Sequence, residues 1–215
     1  MSHRAARGSL STNNYQLPTP TALERLVFFS DAIFAIAITL LALDIRVPDP
    51  AGTTAAELPR QVLALAPNIV SFAVSFLVIG SYWLAHHRIF HAIVRYDHRL
   101  LWLNLLFLLC IAFMPFPSAL LGRYGDTQFA VVFYAAFLAL TGALLTGLWV
   151  YAAAGHRLVP RGLDRDLIRD NTVRTLASSA IFLASIGLSF VHPYAAEASW
   201  LAIVLIRPVV AHLDE

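Results

Sequence analysis

The chain contains no lysine, one cysteine and few charges. All fifteen of its basic residues are arginine, a bias that genome composition explains as readily as chemistry. The lone Cys110 lies in an apolar run, so no intrachain disulfide can form. Charged residues make up 13% of the 215 positions, where a soluble domain carries about 25%. A formal net charge of +2 gives no reason to expect a nucleic-acid partner. There is no Thr-Val-Gly-Tyr-Gly loop, so ion selectivity by backbone carbonyls of that kind is excluded. The first 21 residues are polar, with Ser, Thr, Asn and Pro and no apolar stretch. That argues against a signal peptide and predicts a mobile cytoplasmic tail at 1–21, with 22–215 as one membrane domain.

What the chain has is hydrophobicity: 59% of its residues are apolar and its mean hydropathy is +0.69. Crossing the bilayer takes about 20 helical residues. Six stretches meet that length or approach it, near 25–46, 61–87, 99–121, 127–153, 173–191 and 195–211. The expected fold is an all-α membrane protein with six transmembrane helices per subunit. Pro115 and Pro117 should kink the outer end of the third span. Twelve arginines fall on one predicted side and three (Arg46, Arg60, Arg123) on the other. That bias places both termini in the cytoplasm of a multi-pass protein of the cell membrane. Trp83, Trp102 and Trp149 fall near the predicted cytoplasmic ends, where indoles favour the interface. The Arg- and Asp-rich loop 154–172 reads as a salt-bridged helical extension. Small residues (Ser71, Ser75 and Gly80; Gly142 and Gly147; Ala177, Ala184 and Gly187) mark faces where helices can approach closely.

The first span holds the chemistry. Asp31 sits inside it, and a carboxylate at that depth is costly unless it meets polar partners. Arg25 is six residues away and points to another face, so the two cannot pair within the helix. Partners at the same depth are Trp83, His86, His87 and Asn104, and Asp31 is expected to accept from an imidazole or the Asn104 amide. Arg25 is expected to pair with Asp97 or to cap helix carbonyls. His86 is a candidate pH sensor. His87 and His91 have metal-ligand spacing, but no further ligand motif accompanies them, and no metal or cofactor is expected.

Beyond Asp31, Ile36, Thr39 and Leu43 share one stripe, with Leu40 beside it, over about 10 Å of helix. Such a stripe suits packing against lipid or protein. It also suits a narrow dewetting constriction, provided that several copies surround an axis. Asp44, Asp49 and Glu57 near the outer mouth would then raise the local cation concentration, although Asp49 and Glu57 read more simply as ordinary solvated loop acids.

Arg25-x-x-x-Phe29-Ser30-Asp31, followed by TLLALDIRVP (Thr39 to Pro48), YWLAHHRIF (Tyr82 to Phe90) and WLNLLFLLCIAFMPFPSALL (Trp102 to Leu121), resembles the transmembrane protein 175 family, the endosomal and lysosomal type of potassium channel. The resemblance implies a six-helix subunit without a voltage sensor or re-entrant filter. It implies a homotetramer in the membrane lipid, as in prokaryotic members, whereas animal members carry two units per chain and dimerise. It implies K⁺ conduction in preference to Na⁺ through a pore lined by the first helix of each subunit. By position Ile36 becomes the constriction, Thr39 the supporting hydroxyl and Leu43 the outer apolar ring. Arg25, Phe29, Ser30 and Asp31 become a packing signature. K⁺ would be transient in the pore, and the protein would be no enzyme. The competing reading is a proton-coupled transporter that uses Asp31 and His86; inverted repeats, which such transporters usually show, are not evident.

Overall fold

The computed structural model describes residues 21–49 and 52–200. Apart from Thr21 the tail lies outside them, as do residues 201–211 of the sixth predicted span, whose described part, 195–200, is helical. Among the described residues the regular elements are helices, and five are long and apolar enough to cross a membrane: Ala22–Asp44, Leu58–Ala92, His98–Tyr124, Gln128–His156 and Arg165–Ser189.

Helix α1 (Ala22–Leu40) starts at a capping box. The Thr21 hydroxyl accepts from the Glu24 amide at 3.2 Å, and the Glu24 carboxylate accepts from the Thr21 amide, so two otherwise orphaned N–H groups are satisfied. The helix tightens into a 3₁₀ turn over Leu41–Asp44. After the short α2 (Leu58–Leu63), α3 (Ala66–Ala92) crosses the whole layer. The third span is two helices, α4 (His98–Phe113) and α5 (Pro115–Tyr124), broken at Met114. Pro115 and Pro117 lack the N–H groups that would continue the ladder, which is the kink their positions predict. Helix α6 (Gln128–Ala153) packs along α7 (Arg165–Ser189) and against α4, while α1 packs on α3 and α4.

The fifth span begins eight residues before the predicted 173, because the Arg- and Asp-rich stretch is itself helical. Asp164 caps it, and Arg174 pairs with Asp170 one turn earlier at 2.7 Å. This earlier start covers Trp149, which is fully buried and donates to the Ile168 carbonyl and the Thr172 hydroxyl at 3.2 and 3.1 Å. Trp149 is therefore a core residue rather than an interfacial one; Trp102 is the exposed indole of the three.

Of the small-residue faces, Ser71 and Ser75 meet α5 and α6: Ser71 donates to the Ser118 carbonyl, and Ser75 links the Ser118 and Tyr134 hydroxyls at 2.8 and 2.9 Å. A Cβ at Gly142 would lie 2.4 Å from the Ser179 hydroxyl, so this glycine sets the closeness of α6 and α7. Around Gly80, Gly147 and Gly187 there is open space.

At the Arg-rich end the α3–α4 and α6–α7 loops are fastened together. The Val94 amide donates to Leu158 at 2.9 Å, and Tyr151 donates to the Asp97 carboxylate, which also caps α4 through the Leu100 amide. These donors, Tyr151 first, hold the Asp97 carboxyl below its ordinary value, against a smaller desolvation effect. A carboxyl depressed in the folded state adds stability above its unfolded value near 3.8, and that stability is lost as pH falls through the lower folded value. Tyr151→Phe should therefore melt below the parent at pH 7, with the gap narrowing below pH ~4. Thermal unfolding in detergent at pH 7 and pH 3 measures it, and a gap of constant size would show that the Asp97 bond is not its source.

Candidate functional site

Helix α1 has two unlike sides. Ser30, Phe34, Ala37 and Leu41, spaced four, three and four apart, are all buried. They form a helical core stripe facing α3 and α4. The Phe34 ring lies 5.7 Å from His86 and 5.9 Å from Phe107.

On this stripe a directed hydrogen-bond chain joins three helices. The Ser30 hydroxyl donates to the Leu26 carbonyl at 2.9 Å. Its oxygen is then free to accept from Asn104 Nδ2 at 3.0 Å. The Asn104 Oδ1, an acceptor only, meets His86 Nε2 at 2.9 Å. Nε2 must therefore carry the hydrogen, which fixes the neutral tautomer. Among the described residues His86 Nδ1 has no partner. The ring is stacked 4.2 Å from Phe90 and 5.7 Å from Phe107 and has no solvent exposure. An imidazole so enclosed, with no acceptor for a second proton among the described residues, is badly placed to sense solution pH.

Asp31 lies beside this chain but outside it. Its partner is the Trp83 indole, whose Nε1 donates to Oδ1 at 2.8 Å, rather than an imidazole or the Asn104 amide. Trp83 and His86 are three residues apart on α3, so the two links sit side by side and tie α1 to α3 twice. His87 belongs to neither. It stacks on Trp83 at 5.6 Å and meets His91 edge-on at 4.7 Å. Among the described residues no three His, Cys, Asp or Glu side chains converge as metal ligands would.

Arg25 makes no ion pair or side-chain hydrogen bond among the described residues. Its expected partner Asp97 is engaged by Tyr151 and the start of α4 instead. Arg25 is exposed, and so is Phe29, at 49%. They share the opposite side of α1 with Ile36, 57% exposed, Leu40 at 42% and Leu43 at 71%. Thr39 is exposed there too. Its hydroxyl donates back to the Ala35 and Ile36 carbonyls at 3.0 and 2.9 Å, which leaves its oxygen outward as an acceptor. The 3₁₀ turn changes the register of the predicted stripe. Residues three apart eclipse in such a turn, so Leu43 stacks over Leu40 rather than over Ile36. Asp44, expected as a free acid at the mouth, is paired with Arg123. Nothing in the sequence pattern marks either feature, since no Gly or Pro announces the turn.

Asn104→Leu would strand the His86 Nε2–H and remove the donor to Ser30. Each buried group left unpaired costs about 1–3 kcal/mol, so the variant should unfold at a clearly lower temperature in detergent than the parent. An unchanged midpoint would show that the chain carries no stability.

Comparison with known proteins adds relatives to this geometry. The sequence profile of the family described as Endosomal/lysosomal potassium channel TMEM175 matches residues 25–115. A potassium channel of Chamaesiphon minutus is 34% identical over 179 residues, 82% of this chain and 88% of that protein. A potassium channel of Streptomyces collinus is 37% identical over 172 residues, 78% of this chain and 82% of that one. The crystal structure of a lysosomal potassium-selective channel TMEM175 homolog from Chamaesiphon minutus superposes with a TM-score of 0.77 at 30% identity, covering 87% of this chain and 96% of its own.

Proposed function

This chain belongs to the TMEM175 family of ion channels, and we propose that it is a homotetrameric, weakly discriminating K⁺ channel of the cell membrane with both termini in the cytoplasm. Its pore is lined by α1 of each subunit. The observation that carries this reading is the two-sidedness of α1. One side is engaged by its own subunit, and the other presents Ile36, Leu40 and Leu43 as exposed side chains among the described residues. Rotational symmetry about an axis beside that side closes four copies into a ring. The same side carries Arg25 and Phe29, whose packing role then falls at the contact between copies.

In the ring the Ile36 side chains form an apolar constriction that a hydrated ion cannot cross without losing water. Thr39, one turn further out, offers an outward oxygen. Leu40 and Leu43, stacked by the 3₁₀ turn, make a second apolar ring. Polar groups at the other side of α1 serve this path indirectly, by fixing the roll and tilt of the helix. Permeant K⁺ is bound only in passing.

Asp31 and His86 share no hydrogen bond and lie in separate links, so they form no continuous relay for a proton-coupled transporter. That leaves passive conduction as the reading that the geometry favours.

Ile36→Asn should raise K⁺ flux into liposomes about tenfold, as a barrier lower by about 1.4 kcal/mol requires, and should bring the K⁺ and Na⁺ rates together. Ile36→Ala should do the same to a smaller degree. Permeability ratios unchanged by both substitutions would remove Ile36 from the path.

A further inference from the structure

The outer end of α1 is held by a clasp built from three helices. Asp44, the last residue of the 3₁₀ turn, sends one carboxylate oxygen to Arg123 Nη2 on α5 and receives the Asn68 amide of α3 on the other at 3.3 Å. The Asp44 side chain is 19% exposed and that of Arg123 51%. The approach of α5 to α3 at this level needs Gly122, where a Cβ would stand 3.2 Å from Asn68 Nδ2 and 3.3 Å from Asn68 Cα. Between the clasp and the helix proper, Leu41 is anchored in the core at 3% exposure. Leu43 lies between these two fixed points, so its direction is set by them.

We infer that Asp44, Asn68 and Arg123 are positioning residues for selectivity: by holding the 3₁₀ turn they aim Leu43 into the path and set the width of the outer apolar ring. This rests on the reading of α1 as the pore lining. It also assigns Asp44 a different task from attracting cations, because its charge is met by a guanidinium. If the two side chains acted only as separate fixed charges, neutralising them would alter cation flux in opposite directions, and salt would screen the effect. If they act as a clasp, both neutralisations loosen the same turn and act in the same direction.

The experiment uses purified full-length protein in liposomes, with K⁺ and Na⁺ flux measured for Asp44→Asn, Arg123→Gln and the swapped pair Asp44→Arg with Arg123→Asp. A partly exposed ion pair sets the scale of the effect, about two- to fivefold in an equilibrium. Each single substitution should lower the K⁺ over Na⁺ ratio by about that factor, at low and high salt alike, and the swapped pair should recover most of it. Ile36→Asn is measured in the same vesicles. Opposite shifts in flux that vanish at high salt overturn the clasp. So do unchanged ratios beside a responsive Ile36→Asn, an outcome that leaves the pore reading standing. An unresponsive Ile36→Asn instead removes the pore reading. Where a single substitution fails to fold, the swapped pair decides: folded and selective supports the clasp, and unfolded or unselective overturns it.

Discussion

No water is available in hydrocarbon to satisfy a polar group, so each such group must find its partner within the protein. In this chain that constraint converges on Asn104. Its amide is one group with a donor side and an acceptor side, and the two are used on different helices: the donor on Ser30 of α1, the acceptor on His86 of α3. Neither neighbour can reverse its role, because the Ser30 proton is already committed to the Leu26 carbonyl. Rotating α1 by a single residue would part Ser30 from Asn104 and strand the buried Asn104 Nδ2 donor. Such a group left unpaired costs about 1–3 kcal/mol. The direction of α1 is thereby fixed from the inner half of the subunit, and the Trp83 indole on Asp31 repeats the constraint alongside.

Pinning one side of a helix determines what its other side presents. With Ser30, Phe34, Ala37 and Leu41 turned inward, the periodicity of the helix leaves Arg25, Phe29, Ile36 and Leu43 outward. The polar groups of the inward side work through orientation, while Ile36, Leu40 and Leu43 on the outward side are aliphatic. On the proposed reading, this separates the satisfied part of α1 from the part that meets ions or a neighbouring copy.

Much of this was legible in the chain. The apolar runs and the proline pair mark five of the spans and the kink because hydropathy and missing N–H groups act locally. The depth of the polar cluster was legible too, since Trp83, His86, His87 and Asn104 must lie level with Asp31 when helices alternate in direction. What the pattern could not settle was azimuth. Trp83, His86 and His87 lie within one turn of α3, and only the packing of Phe34 and Phe107 against His86 decides which of them turns toward Asn104 and which toward Asp31. The onset of α7 was hidden for another reason: its first turns are charged, and hydropathy ends before the helix does. Trp149 was misread as interfacial for the same reason, as those turns cover it. The 3₁₀ turn at Leu41–Asp44 has no local signal, because it is imposed by long-range ties.

On the reading proposed above, those ties also bear on how a path without a carbonyl filter could prefer one alkali cation. A free carboxylate at the outer mouth would concentrate all cations alike and would not separate K⁺ from Na⁺. With Asp44 occupied by Arg123 and Asn68, that field is largely cancelled at the mouth. On the proposed reading, discrimination then lies with rings of Ile36, Leu40 and Leu43, which offer no ligands to replace lost water. Such rings favour the ion whose shell is distorted at least cost, which is the larger and more weakly hydrated K⁺. Preference of this origin is modest by nature, since it comes from a difference in dehydration rather than from a fitted cage. It depends on ring width to within a fraction of a side chain, which is why the direction of Leu43, and hence the groups that hold its turn, matters more here than any charge near the entrance.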